Sequence, residues 1–268
     1  MDAKRKLKTR SFLESHPVFS LDDAIATLTP KGNRGAMVER LKHHLGERTM
    51  VRVAREIYAT VPAGMSPEHF EPDPFLVARA ARPDAVFAYH AAFQLLGATH
   101  TLWNEYAVFT ASRRTDLELA SARIHFLVHP AALSEQIRLG TQQVEHRGYV
   151  LRVTGPERTL VEGFRQLARV GGLEEHVRCA AGLTTLDLPL LAEVLERYST
   201  ARLAAAVGWF LERYQATFHV PDQFLEWLET CRPASARYLR REQRGGTLLP
   251  RWNLIVPEAL LQGEADEG

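Results

Sequence analysis

Beyond Lys42 the sequence contains no lysine. All five (Lys4, Lys6, Lys8, Lys31, Lys42) fall in the first segment, and arginine supplies the permanent positive charge of the rest. Cysteine is equally scarce: Cys179 and Cys231 stand without CxxC or Cys/His ligand spacing, so neither a disulfide framework nor a zinc site is indicated. No apolar run approaches the ~18 residues that suggest a membrane span. The N-terminus, MDAKRKLKTRSFLESHP, is basic but has no apolar h-region and no small-residue cleavage site, which predicts no secretory signal and a cytoplasmic protein. Phosphate-cradling glycine patterns are missing as well, since neither GxGxxG nor GxxxxGK[ST] occurs, and no GxSxG or paired-carboxylate signature is present. A nucleotidyltransferase would need a Gly-Ser pair followed by Asp-x-Asp on adjacent strands, and this chain has neither. The expectation is a protein without catalysis, cofactor or metal.

The 268 residues predict two domains, at roughly 100–200 residues per domain. An apolar content of 46% and a charged content of 24% suffice for soluble cores. Charge is unevenly placed. Residues 1–62 hold 12 Lys/Arg against 7 Asp/Glu (+5), and the remainder 21 against 25 (−4), which restores the total of +1. A basic end on a mildly acidic body suggests an electrostatic contact made by that end. A solvated basic face without a ligand accounts for composition alone equally well.

The proline-rich stretch 62–74, PAGMSPEHFEPDP, reads as a linker. It divides a module at 1–62 from a body at 75–262, with an acidic tail at 263–268. In the module the periodicity predicts a helix over Lys4–Ser15 with Leu7, Ser11 and Phe12 on one stripe. Ser20-Leu-Asp-Asp23 has capping-box spacing and opens a second helix. Asn33 is placed to cap a third over Arg34–Leu45, with Met37, Val38, Leu41 and Leu45 inward and Arg34, Glu39, Arg40, Lys42 and His43 outward. The alternating MVRVA and REIYATV follow as a hairpin. In the body, a helix at DPFLVARAA precedes a second from about Val86 to Leu96. Strands are expected at NEYAVFTAS, ARIHFLVHP and HRGYVLRVTG, a capping box at Thr154–Glu157, a mostly helical stretch, and a last strand in LLPRWNLIVP. The fold class is therefore α+β: an N-terminal winged helix-turn-helix, then a mixed domain with a small sheet and a C-terminal helical part.

In a winged helix the third helix enters the major groove and the hairpin reaches phosphates or the minor groove. Cations are needed near the backbone and forked donors near base edges. Lys31, Asn33, Arg34, Arg40, Lys42 and His43 on the helix and Arg52 and Arg55 in the hairpin fit that need. Protein–protein contact is the competing use of the same module. HFLVH puts His125 and His129 on one side of a strand, so a metal pair is geometrically possible, but with no nearby carboxylate or third ligand an enzyme using them with a metal is the weakest of the three readings. Glu157 and Arg158 read as a capping residue and an interdomain ion-pair partner.

The segments VRVAREIYATVP, DPFLVARAARPDAVFAYHAAFQLLG, YAVFTASRR, IHFLVHP, VTGPERTLVEGF and PRWNLIVP, in this order and spacing, resemble the AbiEi family of antitoxins from bacterial abortive-infection, type IV toxin–antitoxin systems. The resemblance covers nearly the whole chain, with PERTLV and AYHAAFQLLG its most specific parts. Where the family has a glycine in the wing, this chain has Glu56. The resemblance implies a repressor that binds inverted repeats in its own promoter, as a monomer or weak dimer paired on the DNA, and that counteracts a nucleotidyltransferase toxin. A stand-alone regulator or interaction module without a toxin is the alternative. Tyr89, His90, Glu157, Arg158, Thr159, Arg251 and Trp252 fall on the body's motif positions and read as structural before functional.

Overall fold

Ser20 sets the entry of the chain into its second helix. Its hydroxyl accepts the Asp23 backbone N–H at 3.1 Å, and the Asp23 carboxylate accepts the Ser20 N–H at 2.8 Å, so the capping box forms in both directions. The computed structural model describes residues 2–29, 33–99, 101, 103–240 and 244–261, with backbone alone over 2–6. It begins with α1 (Asp2–Ser15), β1 (Val18–Ser20), α2 (Leu21–Leu28), α3 (Arg34–Gly46) and the hairpin β2 (Met50–Ala54) and β3 (Ile57–Thr60). β3 lies between β1 and β2 and is antiparallel to both. This is the element order of a winged helix-turn-helix. Phe12, Phe19, Leu21, Met37, Leu41, Met50 and Tyr58 form its core, with Val38 and Leu45 packed on the edge. Burial of such side chains stabilises by about 1.5–3 kcal/mol each. Leu7, expected on the inward stripe of α1, is instead 69% exposed.

The proline-rich stretch does not separate this module from its neighbours. It makes a 3-10 turn at Pro67–His69, Glu68 pairs with Arg48, and Glu71 accepts from Ser121. Asp73 then caps α4 (Pro74–Ala81) by accepting the Phe75 N–H at 2.9 Å, and α4 packs on β1 and β3. The compact units accordingly differ from an expected division into 1–62 and 75–262. One comprises residues 1–85 and 104–127, the other 86–103 and 128–268. Apolar burial by α4 draws the boundary, and prolines alone do not. The acidic tail 263–268 lies outside the described residues.

After α4 the chain enters the second unit through β4 (Val86–Ala88) and α5 (His90–Leu95). Val86–Leu96 was expected as one helix; Val86–Ala88 is a strand because this fully buried run pairs in parallel with a later strand, Phe87 opposite Val153. Three strands, β5 (Glu105–Thr110), β6 (Leu117–Glu118) and β7 (Arg123–Val128), follow in the spatial order β6-β7-β5. β8 (Thr141–His146) and β9 (Tyr149–Thr154) form an antiparallel hairpin, with β9 between β8 and β4.

The centre of the second unit is α6 (Pro156–Arg165), buried at every position from Glu157 to Phe164. Around it pack α7 (Leu173–Ala181), α8 (Leu188–Tyr198) and α9 (Ala201–Arg213). The expected Thr154–Glu157 capping box does not form. Gly155 is the cap without a side-chain bond, Thr154 Oγ1 lies 2.7 Å from Thr159 Oγ1, and Glu157 turns to another loop. α10 (Gln215–Phe218) and α11 (Asp222–Thr230) precede a three-stranded sheet of β10 (Arg237–Tyr238), β11 (Thr247–Leu249) and β12 (Leu254–Val256), ordered β10-β12-β11. The architecture is α+β, and among the described residues no helix is long and apolar enough to cross a membrane.

Candidate functional site

The outward face of α3 is cationic, but most of its cations are already paired. Asn33 caps the helix, its Oδ1 accepting the Gly35 N–H at 2.8 Å. Arg34 reaches Asp22 at 2.8 Å and Glu56 at 2.6 Å, and these carboxylates, Glu56 foremost, raise its pKa further. Lys42 Nζ lies 2.7 Å from Glu39, and His43 Nε2 3.2 Å from Glu47. Arg40, expected on the open face, is half-buried. Lys31 lies outside the described residues. In the hairpin Arg52 is exposed and donates to the Ala54 carbonyl at 3.3 Å, and Arg55 is exposed at the turn. Glu56 closes that turn with φ +63°, the left-handed conformation that a glycine would adopt without steric cost. The module thus brings Asn33, Arg34, Lys42, His43, Arg52 and Arg55 to its surface.

The motif residues of the body are mostly interior. Arg158 is fully buried: its Nε donates to Glu162 Oε1 at 2.8 Å, and its Nη1 to the carbonyls of Ile137 (2.9 Å) and Leu139 (3.0 Å). The same Glu162 oxygen accepts the Tyr198 hydroxyl at 2.6 Å. Burial pushes the Glu162 pKa up, and the Arg158 charge opposes it. Gly140, at φ +58°, sits close against Arg158 Cβ, where a side chain would collide. Glu157 accepts the Asp187 N–H at 2.7 Å and caps no helix through its own side chain; burial raises its pKa. Arg158 is therefore an ion-pair partner inside its own unit, and the interdomain role expected for it is corrected. Thr159 bonds the Thr154 carbonyl at 3.0 Å. Arg251 pairs with Glu212 (2.6 Å) and Glu229 (3.1 Å), and the buried Trp252 donates its indole N–H to Glu212 at 2.6 Å.

Tyr89 and His90 occupy a different environment. Tyr89 is buried at φ +57°, a conformation costing about 1–3 kcal/mol for a side-chain-bearing residue, and it launches α5. His90, fully buried, stacks on Trp103 with ring centroids 5.1 Å apart, and its Nε2 lies 3.5 Å from Glu175 Oε1. Cys179 donates to the same oxygen at 3.4 Å, and the Thr101 hydroxyl also reaches it. Burial lowers the His90 pKa against the opposing pull of Glu175, and burial together with Glu175 pushes the Cys179 thiol up to about 12.

Among the described residues, His90, Glu175 and Cys179 are the one group of three ligand-type side chains close enough to hold a metal ion. Reading the cysteines as isolated missed it because the partners lie far apart in sequence. The available signal was Glu175 and Cys179 at i and i+4, which share one face of α7. His125 has carboxylates beside it after all, with Nδ1 2.7 Å from Asp116 and Nε2 3.6 Å from Glu105.

No family model matches the chain, and no curated protein matches it. Among solved structures it is similar to the RV2827C protein from Mycobacterium tuberculosis, with a TM-score of 0.61 at 15% identity over 98% of this chain and 95% of that one. At this identity the likeness establishes a shared fold.

Proposed function

We propose that the chain is a DNA-binding transcriptional regulator, of the type that represses its own operon as an antitoxin and counteracts a nucleotidyltransferase toxin. The observation that carries this reading is the coincidence of winged-helix order with charge: the +5 segment and every lysine belong to that module. Arg52 and Arg55 supply backbone contacts from the wing, and Arg34 and Lys42 from α3. Each phosphate neutralised steepens the dependence of log affinity on log salt by about 0.9. Anisotropy titrations of the full chain on the DNA upstream of its gene test the proposal. An Arg52→Ala, Arg55→Ala double variant is expected to weaken binding at low salt and to flatten the salt slope by about 2. Binding equal to wild type at all salt concentrations would reject the wing as a DNA contact.

The ion pairs of Arg34 and Lys42, with the contact of His43 to Glu47, favour a second reading, a stand-alone regulator or docking module whose helix face is already engaged by carboxylates. Its signature is a stable complex with a neighbouring gene's product and no shift of promoter DNA at moderate salt.

A further inference from the structure

We propose that His90, Glu175 and Cys179 form a binding site for a zinc-class divalent cation, which pins the start of α5 to α7. Three different donor types converge here from two helices: an imidazole nitrogen, a carboxylate oxygen and a thiol, with the ligand atoms all within 4.8 Å of one another. Zinc bonds of about 2.0 Å to nitrogen and oxygen and about 2.3 Å to sulfur place tetrahedral neighbours about 3.3–3.5 Å apart. The Nε2–Oε1 and Sγ–Oε1 separations are 3.5 and 3.4 Å. The two edges that meet at Glu175 Oε1 thus match those of a coordination tetrahedron, and the third, from His90 to Cys179, is within 4.8 Å.

The second observation is independent of the cluster's composition. His90 is fully buried, and neither of its ring nitrogens has a hydrogen-bond partner. Buried polar groups in folded proteins are nearly always satisfied. An imidazole stacked on Trp103, held at a strained backbone junction and facing a carboxylate without a hydrogen bond, has the arrangement of a ligand awaiting its cation. Arg178, 3.4 Å from Glu175 Oε2, engages the other carboxylate oxygen and leaves Oε1 toward His90 and Cys179. Thr101, an exposed residue, donates its hydroxyl to Oε1, and with three protein ligands the fourth position of a bound zinc would fall to water. Mixed nitrogen, oxygen and sulfur donors suit zinc over magnesium or calcium, which take oxygen ligands. Binding releases the thiol proton to solvent as the thiolate joins the metal.

The test uses the full chain, purified without a tag, stripped with a chelator and titrated with Co²⁺ and then Zn²⁺. One equivalent of Co²⁺ is expected to give tetrahedral-type visible bands and a thiolate-to-cobalt charge-transfer band, both abolished by Zn²⁺. Cys231→Ser should keep both features, and Cys179→Ser should lose the charge-transfer band. Glu175→Gln should keep that band while weakening Co²⁺ binding by at least about 10-fold, since even outer partners of metal ligands are worth that much. No charge-transfer band in the wild type, or one that survives Cys179→Ser, overturns the proposal. Should Cys179→Ser fail to fold, unchanged Co²⁺ affinity in Glu175→Gln overturns it as well.

Discussion

Arg34 Nη2 lies 2.6 Å from Glu56 Oε2, a contact that ties the first residue of the third helix to the turn of the hairpin. Both side chains are substantially exposed, so the pair is screened by solvent and adds little to stability. Its larger effect is on availability: it holds the guanidinium nearest the helix start against an internal anion.

Replacing Glu56 with glycine separates these effects. Glu56→Gly removes one of the two carboxylates on Arg34, leaving Asp22, and relieves a left-handed backbone that costs about 1 kcal/mol with a side chain. Thermal stability is expected to stay level or rise slightly. Affinity for promoter DNA should increase at low salt, with the salt slope steeper by about 0.9 as Arg34 takes a phosphate. Anisotropy at several salt concentrations reads this directly, and a slope unchanged both here and in an Asp22→Ala, Glu56→Gly double variant would remove Arg34 from the DNA contact.

The buried Arg158–Glu162 pair gives a second prediction. Glu162→Ala leaves an uncompensated guanidinium in the interior and should cost about 3–5 kcal/mol in urea unfolding. Arg158→Met combined with Glu162→Leu should recover most of that loss, because an apolar pair of similar volume removes both desolvation penalties. A double variant as unstable as Glu162→Ala would mean that the bonds from Arg158 to Ile137 and Leu139 matter more than the ion pair.

His176 is buried against Phe164 and Gly163, and burial lowers its pKa to about 3. The folded value lies below the unfolded one, so the unfolded chain binds the extra proton. This contribution to stability is fully present above about pH 6.5 and is lost as pH falls toward 3, at up to about 1.4 kcal/mol per pH unit. In His176→Leu, the slope of unfolding free energy against pH between 6 and 4 should be shallower by up to one proton. An identical slope in the variant would place the acid sensitivity on other groups.

Gly208 faces the Trp252 ring so closely that a Cβ would overlap it. Gly208→Ala is expected to destabilise by about 1–3 kcal/mol through overpacking, despite alanine's better helix propensity. Differential scanning calorimetry checks the sign, and a stabilised variant would show that Trp252 can move aside.

Local signals carried most of the module. The Ser20–Asp23 cap, the Asn33 cap and the Met37–Leu41 stripe depend on residues a few positions apart, and each forms where periodicity places it. Strand β1 escaped because three residues carry no period; its pairing with β3 defines it. Val86–Ala88 was misread for a related reason, since an alanine-rich apolar run suits a helix or a buried strand until its partner is known. The outward cations were legible as residues but not as ion pairs, because Glu56 meets Arg34 across 22 positions. His90 meets Glu175 across a longer gap still, and no local pattern in the sequence announces that meeting.

The two units interleave along the chain, and this constrains the order in which they can be completed during synthesis. The first is interrupted after residue 85 and resumes only at 104–127. When the ribosome has delivered α4, Asp84 still lacks the Ala111 N–H that it accepts at 2.7 Å, and Phe75 lacks the Tyr106 ring that packs edge-on against it. The winged helix therefore emerges with part of its unit unmade, and a fragment cut at the prolines would stay in that condition permanently.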